Sequence, residues 1–143
     1  YNYRLDEIHS ALGLSQIMRL EQFNKKRMKL AKEYSKKLEK IKGIITPKIH
    51  DNRKHIFHLY SIKIDKEFHL SRDELFKKLY KKGIGTSVQY IPLHLLTHFK
   101  KKYNEKKDHF PNSNILKNQV LCLPIYPDMT MKQLDYVVAC LTK

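Results

Sequence analysis

Two short stretches hold residue types that handle anions or sit at the edges of sites. The first is Asn2-Tyr3-Arg4, immediately ahead of a run with helical spacing. A side-chain amide and a guanidinium beside a helix N-terminus suit an anion such as phosphate, because unpaired amides and the helix dipole favour negative charge there. Taken alone, the pattern reads first as an ordinary helix entry. The second stretch runs from Gly83 to His94. An extended segment ending in Tyr90-Ile91-Pro92-Leu93-His94 puts a phenol and an imidazole at a strand end, where sites commonly lie. A loop stiffened by Pro92 is an equal reading.

The other reactive residues form no familiar constellation. No P-loop, GxGxxG, HExxH or GxSxG pattern is present. His55 and His58 lie three apart on a candidate strand and so point to opposite faces. His94 and His98 have the i, i+4 spacing that can hold a metal on a helix, but no third ligand accompanies them, and no metal is expected. His109 stands at no metal-ligand spacing from another histidine. Cys122 and Cys140 lack CxxC spacing and sit in apolar runs, which fits small core residues in a reducing compartment.

The elements that must position these residues follow from periodicity. Leu5, Ile8 and Leu12, then Leu30, Tyr34, Leu38 and Ile41, predict helix from Leu5 to about Ile41. Gly13 falls inside it as a break or a close contact, and Gly43 marks its end. Ile44 to Ile49 and His55 to Ile64 read as strands, the second with Ile56, His58, Tyr60, Ile62 and Ile64 on one face. Ser71 with Glu74 makes a capping box for a helix that Gly83 ends. Ile84 to Tyr90 reads as a strand stopped by Pro92. His94 to Tyr103 and Ile115 to Val120 read as helical, with Phe110-Pro111-Asn112 as a loop. Leu121 to Pro124 is a short buried strand. Thr130 with Gln133 opens a last helix through Leu134, Val137, Val138 and Leu141. Helices over a small, mostly antiparallel sheet give an α+β fold, with residues 1–143 as one domain.

Charge is the most unusual bulk property. Twenty-nine Lys and Arg face 14 acidic residues, a formal net charge of +15. That balance admits nucleic acid, a membrane surface or an anionic small ligand as partner. Only five of these cations are arginines, and the lysines are spread from Lys25 to Lys143. Base and phosphate recognition leans on the bidentate guanidinium, so scattered lysine reads first as a solvated surface. No apolar run approaches the ~20 residues of a membrane span. The first residue is Tyr1, without initiator Met or signal-peptide pattern, which leads us to expect an upstream segment.

Read together and in order, the motifs resemble one family. Tyr1-Asn2-Tyr3-Arg4-Leu5, then Ala11-Leu12-Gly13-Leu14-Ser15-Gln16, resemble the stretch after the active-site lysine in DegT/DnrJ/EryC1/StrS sugar aminotransferases. Gly83-Ile84-Gly85-Thr86 through Tyr90-Ile91-Pro92-Leu93-His94 is similar to their G-I-G-T-x-V-H-Y-I-P-L-H segment. Phe110-Pro111-Asn112, Leu121 to Pro127 and the last helix resemble their ending. Gln89 departs from the pattern where many members have His.

The resemblance implies a fold-type I pyridoxal phosphate enzyme that moves an amino group, usually from glutamate, to a keto group on a nucleotide-linked sugar. It implies a cytoplasmic homodimer, not a membrane protein. It implies that Asn2 binds the cofactor phosphate of the neighbouring subunit. Arg4 would lie near the substrate diphosphate, and Tyr90 and His94 would line the active-site edge. The Schiff-base lysine would belong to a large domain upstream of Tyr1, so no catalytic residue is expected here. The chain would be the small C-terminal domain, its long first helix packed on the large domain, and inactive alone. Two rival readings are a basic nucleic-acid-binding module, with Tyr1, Tyr3 and Tyr90 as stacking platforms, and a lysine-less regulator of the same fold.

Overall fold

The computed structural model describes residues 3–103 and 109–142. Its first helix, α1, spans Glu7–Leu38. The Asp6 carboxylate caps it by accepting the His9 amide at 2.9 Å. Only its C-terminal part is buried, through Leu30, Ala31, Tyr34 and Leu38. These fall at helical spacing and meet α5 (Met131–Thr142), whose Leu134, Val137 and Leu141 form the facing stripe. Gly13 causes neither a break nor a close contact: the helix runs through it, and nothing lies within 4 Å of an added Cβ.

Three short strands, β1 (Ile44–Ile45), β2 (Tyr60–Ile64) and β3 (Val120–Leu123), form an antiparallel sheet in that order. The register pairs Tyr60 with Leu123 and Ile62 with Leu121. Along β2 the period-2 alternation places Tyr60, Ile62 and Ile64 in the core. The helix α2 (Arg72–Lys81) adds Leu75 and Leu79 to that core, and its Ser71–Glu74 capping box is complete. Removing each large apolar side chain from water stabilises the fold by about 1.5–3 kcal/mol.

Three predicted strands are shorter than expected or missing, each for a local reason. The first ends at Ile45 because Pro47, two residues on, has no ladder amide. The second begins only at Tyr60. Ahead of it Phe57 adopts φ +52°, and its amide donates to His55 Nδ1 at 2.9 Å, which breaks the extended run. The third, Ile84 to Tyr90, is no strand. It touches β3 at a single bridge, Ser87 with Cys122, between two glycines that resist ordering and a proline that cannot pair. The Ile115 helix starts earlier than expected, as α4 (Pro111–Gln119), because Pro111 suits the first helical position. The expected His94–Tyr103 helix splits into a 3-10 turn at Leu93–Leu95 and α3 (Thr97–Tyr103), with Leu96 extended between them.

A buried polar pair fastens α1 to the sheet. The Tyr34 and Tyr60 rings stack with centroids 4.9 Å apart. Tyr34 donates to the Pro124 carbonyl at 3.1 Å, and the Tyr60 and Ser35 hydroxyls meet at 2.8 Å. Burial pushes both phenols well above their ordinary value, Tyr60 to about 12.

Candidate functional site

The Gly83–His94 segment leaves α2 through Gly83, whose φ of +72° makes the left-handed turn that ends the helix. The segment then runs beside β3, where Ser87 exchanges backbone bonds with Cys122 at 3.2 and 2.8 Å. Beyond the bridge the side chains turn outward, and Tyr90 is 78% exposed. Gln89 folds back instead. Its amide nitrogen donates to Ser87 Oγ at 3.3 Å, while its Oε1 is shielded without a partner among the described residues.

His94 faces inward and is 8% exposed. Its Nε2 lies 3.0 Å from Asn114 Oδ1 on α4, and its ring packs on Phe110 with centroids 4.7 Å apart. Tyr90 and His94 therefore share one short segment but face opposite environments. The bend at Leu96 also removes the i, i+4 helical spacing of His94 and His98. Sequence reasoning missed Asn114 as a partner. The signal was slight, because 20 residues and a loop separate it from His94.

Arg4 occupies the extended lead into α1 and is exposed. Leu30, the first buried residue of α1, is about 35 Å further along the helix axis. Asn2 lies outside the described residues. The helix start beside them has the form of an ordinary entry capped by a carboxylate, the reading that the local pattern puts first. The Asp6 carboxylate already takes the His9 amide, which holds it below the usual carboxylate range, and His9 Nδ1 pairs with its other oxygen. Glu7 adds a second negative charge to the first turn. An anion here would have to be held by side chains, against those charges.

Two surface cavities were not foreseen. One, of about 690 Å³, lies between the Gly83–Gly85 turn and the start of α5, with Tyr126, Lys132 and Tyr136 in its wall. The other, of about 700 Å³, lies between α1 and the Thr46–Phe57 loop and gathers Lys32, Lys48, Arg53 and Lys54. Arg4, Tyr90 and His94 line neither. No described helix is long and apolar enough to cross a membrane.

Comparison with known proteins gives a consistent result. Residues 1–142 match the model of the DegT/DnrJ/EryC1/StrS aminotransferase family. The spore coat polysaccharide biosynthesis protein SpsC of Bacillus subtilis is 35% identical over 140 residues, covering 96% of this chain and 36% of SpsC. The UDP-4-amino-4,6-dideoxy-N-acetyl-beta-L-altrosamine transaminase of Campylobacter jejuni is 35% identical over 137 residues, covering 96% of this chain and 36% of the transaminase. Among solved structures, DesV of S. venezuelae superposes with a TM-score of 0.87 at 29% identity, covering 96% of this chain and 36% of DesV. The chain thus spans about a third of the length of the relatives it matches. The α+β expectation holds, with helices over a three-stranded antiparallel sheet. Matched along almost its whole length by the family model, the chain belongs to the DegT/DnrJ/EryC1/StrS aminotransferase family.

Proposed function

We propose that this chain is the C-terminal third of a sugar aminotransferase that uses pyridoxal phosphate to carry an amino group from glutamate to a nucleotide-linked keto sugar in surface-glycan synthesis. The observation that carries the reading is the family match over residues 1–142, supported by relatives whose names refer to polysaccharide biosynthesis and to an amino-sugar transaminase.

The described residues test the cofactor only at its edge. The α1 N-terminus is blocked by Asp6, so a cofactor phosphate fits here only through side chains. In this reading the Asn2 amide donates to that phosphate across the boundary of a cytoplasmic homodimer. The exposed Arg4 offers its guanidinium to the substrate diphosphate. Tyr90 presents its phenol and ring to the sugar nucleotide, and His94 supports it from behind. When bound, pyridoxal phosphate supplies the electron sink for amino transfer. The reactive lysine belongs to a large domain preceding Tyr1, and residues 1–143 form the small domain. The apolar side chains on the first half of α1 then pack on the large domain. The chain alone is inactive.

The test uses the polypeptide that joins this chain to the rest of the family length. Loaded with pyridoxal phosphate, it should be converted by glutamate to the pyridoxamine form, followed by absorbance. An Asn2→Ala variant should require roughly tenfold more cofactor for half-saturation. A protein that retains pyridoxal phosphate yet never forms the amine would instead be a regulator. One that ignores the cofactor but binds random DNA with steep salt dependence would be the nucleic-acid module.

A further inference from the structure

We propose that Asn114 and His94, with Phe110, form an internal latch that fixes the Gln89–Leu93 segment and so holds Tyr90 in position for the sugar half of the reaction; this rests on the aminotransferase reading. Both are positioning residues, since His94 is buried and Asn114 acts on Tyr90 through it.

The backbone shows why a latch is needed. Upstream, Ser87 is tied to Cys122 by two hydrogen bonds. Downstream, the 3-10 turn closes with Leu95 donating to the Pro92 carbonyl at 2.9 Å and Leu96 to the Leu93 carbonyl at 3.0 Å. Between these points, residues 88–91 make no backbone–backbone bond among the described residues. Of their side chains, Gln89 reaches back to Ser87, on the side already tethered, whereas Val88 is 41% exposed, Tyr90 78% and Ile91 59%. The turn's own two bonds are internal and tie it to nothing else. His94 is the side chain of the turn that reaches the interior.

The far side of the latch is firmly placed. Asn114 sits in the first turns of α4, whose start is set by Pro111 and which packs on α2 and β2 before running directly into β3. The segment carrying Tyr90 is therefore referenced to the sheet at both ends, by backbone at Ser87 and by side chain at His94. Losing the second reference leaves an exposed aromatic on a chain held at one end. A misplacement of about 1 Å can lower a rate by up to roughly 100-fold.

The test uses the full-length enzyme with pyridoxal phosphate bound, and two substitutions. Asn114→Leu keeps the volume and removes the acceptor, whereas Asn114→Asp keeps an acceptor at the same place. Two measurements are made on each. The first is hydrogen exchange of peptides covering residues 88–96, with β2 and α5 peptides as controls. The second is the rate at which the pyridoxamine form is produced from glutamate and, separately, from UDP-4-amino-4,6-dideoxy-N-acetyl-beta-L-altrosamine. Asn114→Leu should speed exchange in 88–96 about tenfold while the controls stay unchanged. It should slow the amino-sugar reaction about tenfold and the glutamate reaction less than about twofold. Asn114→Asp should restore both.

Unchanged exchange in 88–96 overturns the latch. Faster exchange with equal loss of both reactions, or with loss in the control peptides too, overturns the positioning role. An unaltered enzyme that accepts glutamate but not the amino sugar overturns the assignment to that sugar half. Failure of the unaltered enzyme to react with glutamate refutes the aminotransferase reading instead, and the exchange result still decides whether the latch exists.

Discussion

Replacing Tyr60 with phenylalanine should weaken the chain near neutral pH and strengthen it in strong base. The phenol is fully buried, stacked on Tyr34 and hydrogen-bonded to Ser35 at 2.8 Å. Burial pushes its pKa up to about 12, the nearby Glu39 carboxylate adds to that, and the Ser35 bond opposes it. In the unfolded chain the same phenol titrates near 10. Below pH 10 both states keep the proton, and the stabilising contribution is complete. Between 10 and 12 the unfolded chain releases the proton and the folded chain does not. Stability then falls by up to about 1.4 kcal/mol per pH unit, roughly 2 kcal/mol in all by pH 12.

The variant has no such proton to lose. At pH 8 it lacks one hydrogen bond, worth about 1 kcal/mol. The difference between the two proteins should therefore shrink above pH 10 and vanish near pH ~10.7, reaching about 1 kcal/mol in the variant's favour by pH ~11.5. Urea titrations followed by far-UV circular dichroism at each pH measure it. The lysines titrate alike in both proteins and cancel in the difference. Parallel stability curves from pH 8 to 11.5 would mean that Tyr60 ionises as readily folded as unfolded, and the burial argument would be wrong.

Two further outcomes separate local strain and local exposure from core packing. Gly43 (φ +80°) and Gly83 (φ +72°) both need a left-handed backbone, but only at Gly43 would a Cβ collide with the Phe68 backbone. Gly43→Ala should cost at least about 2 kcal/mol and Gly83→Ala about 1, so thermal melts that shift equally would count against the collision. Leu30→Asp, at a 5% exposed position, should unfold the chain, whereas Ile8→Asp, at an 80% exposed one, should change its stability by less than about 0.5 kcal/mol. In the full-length protein Ile8→Asp should instead disturb assembly, read by size-exclusion chromatography.

What could be read from the sequence was what is decided within a few residues. The capping boxes at Ser71 and Thr130 formed as expected, because each needs only a hydroxyl and a carboxylate or amide three positions on. The inner face of β2 followed from alternation alone. The strand limits did not, since a positive φ at Phe57 and the missing partner for Ile84–Tyr90 depend on what lies beside them in space. The site divides in the same way. Tyr90 and His94 stood out through proline and aromatic spacing, but the inward turn of His94 depends on Asn114 and Phe110, which no local pattern links to it.

The two ends of α1 have different physical fates, and this bears on how the site is built. Its last turns bury Leu30, Tyr34 and Leu38 against α5 and the sheet. Its first turns carry Ile8, Leu12, Ile17 and Met18 between 57% and 81% exposed. A helix polar all round could lie bare in solvent, but one with four such residues gains about 1.5–3 kcal/mol for each that is covered. Covering this face would stabilise the helix end that carries Arg4, about 35 Å along the axis from the small core. Tyr90 is instead referenced to β3 and α4, at the sheet end of the fold. Two groups proposed for one substrate thus depend on separate supports, one inside this chain and one supplied by whatever packs on α1. An active site assembled at a subunit boundary is what such a division of support would produce.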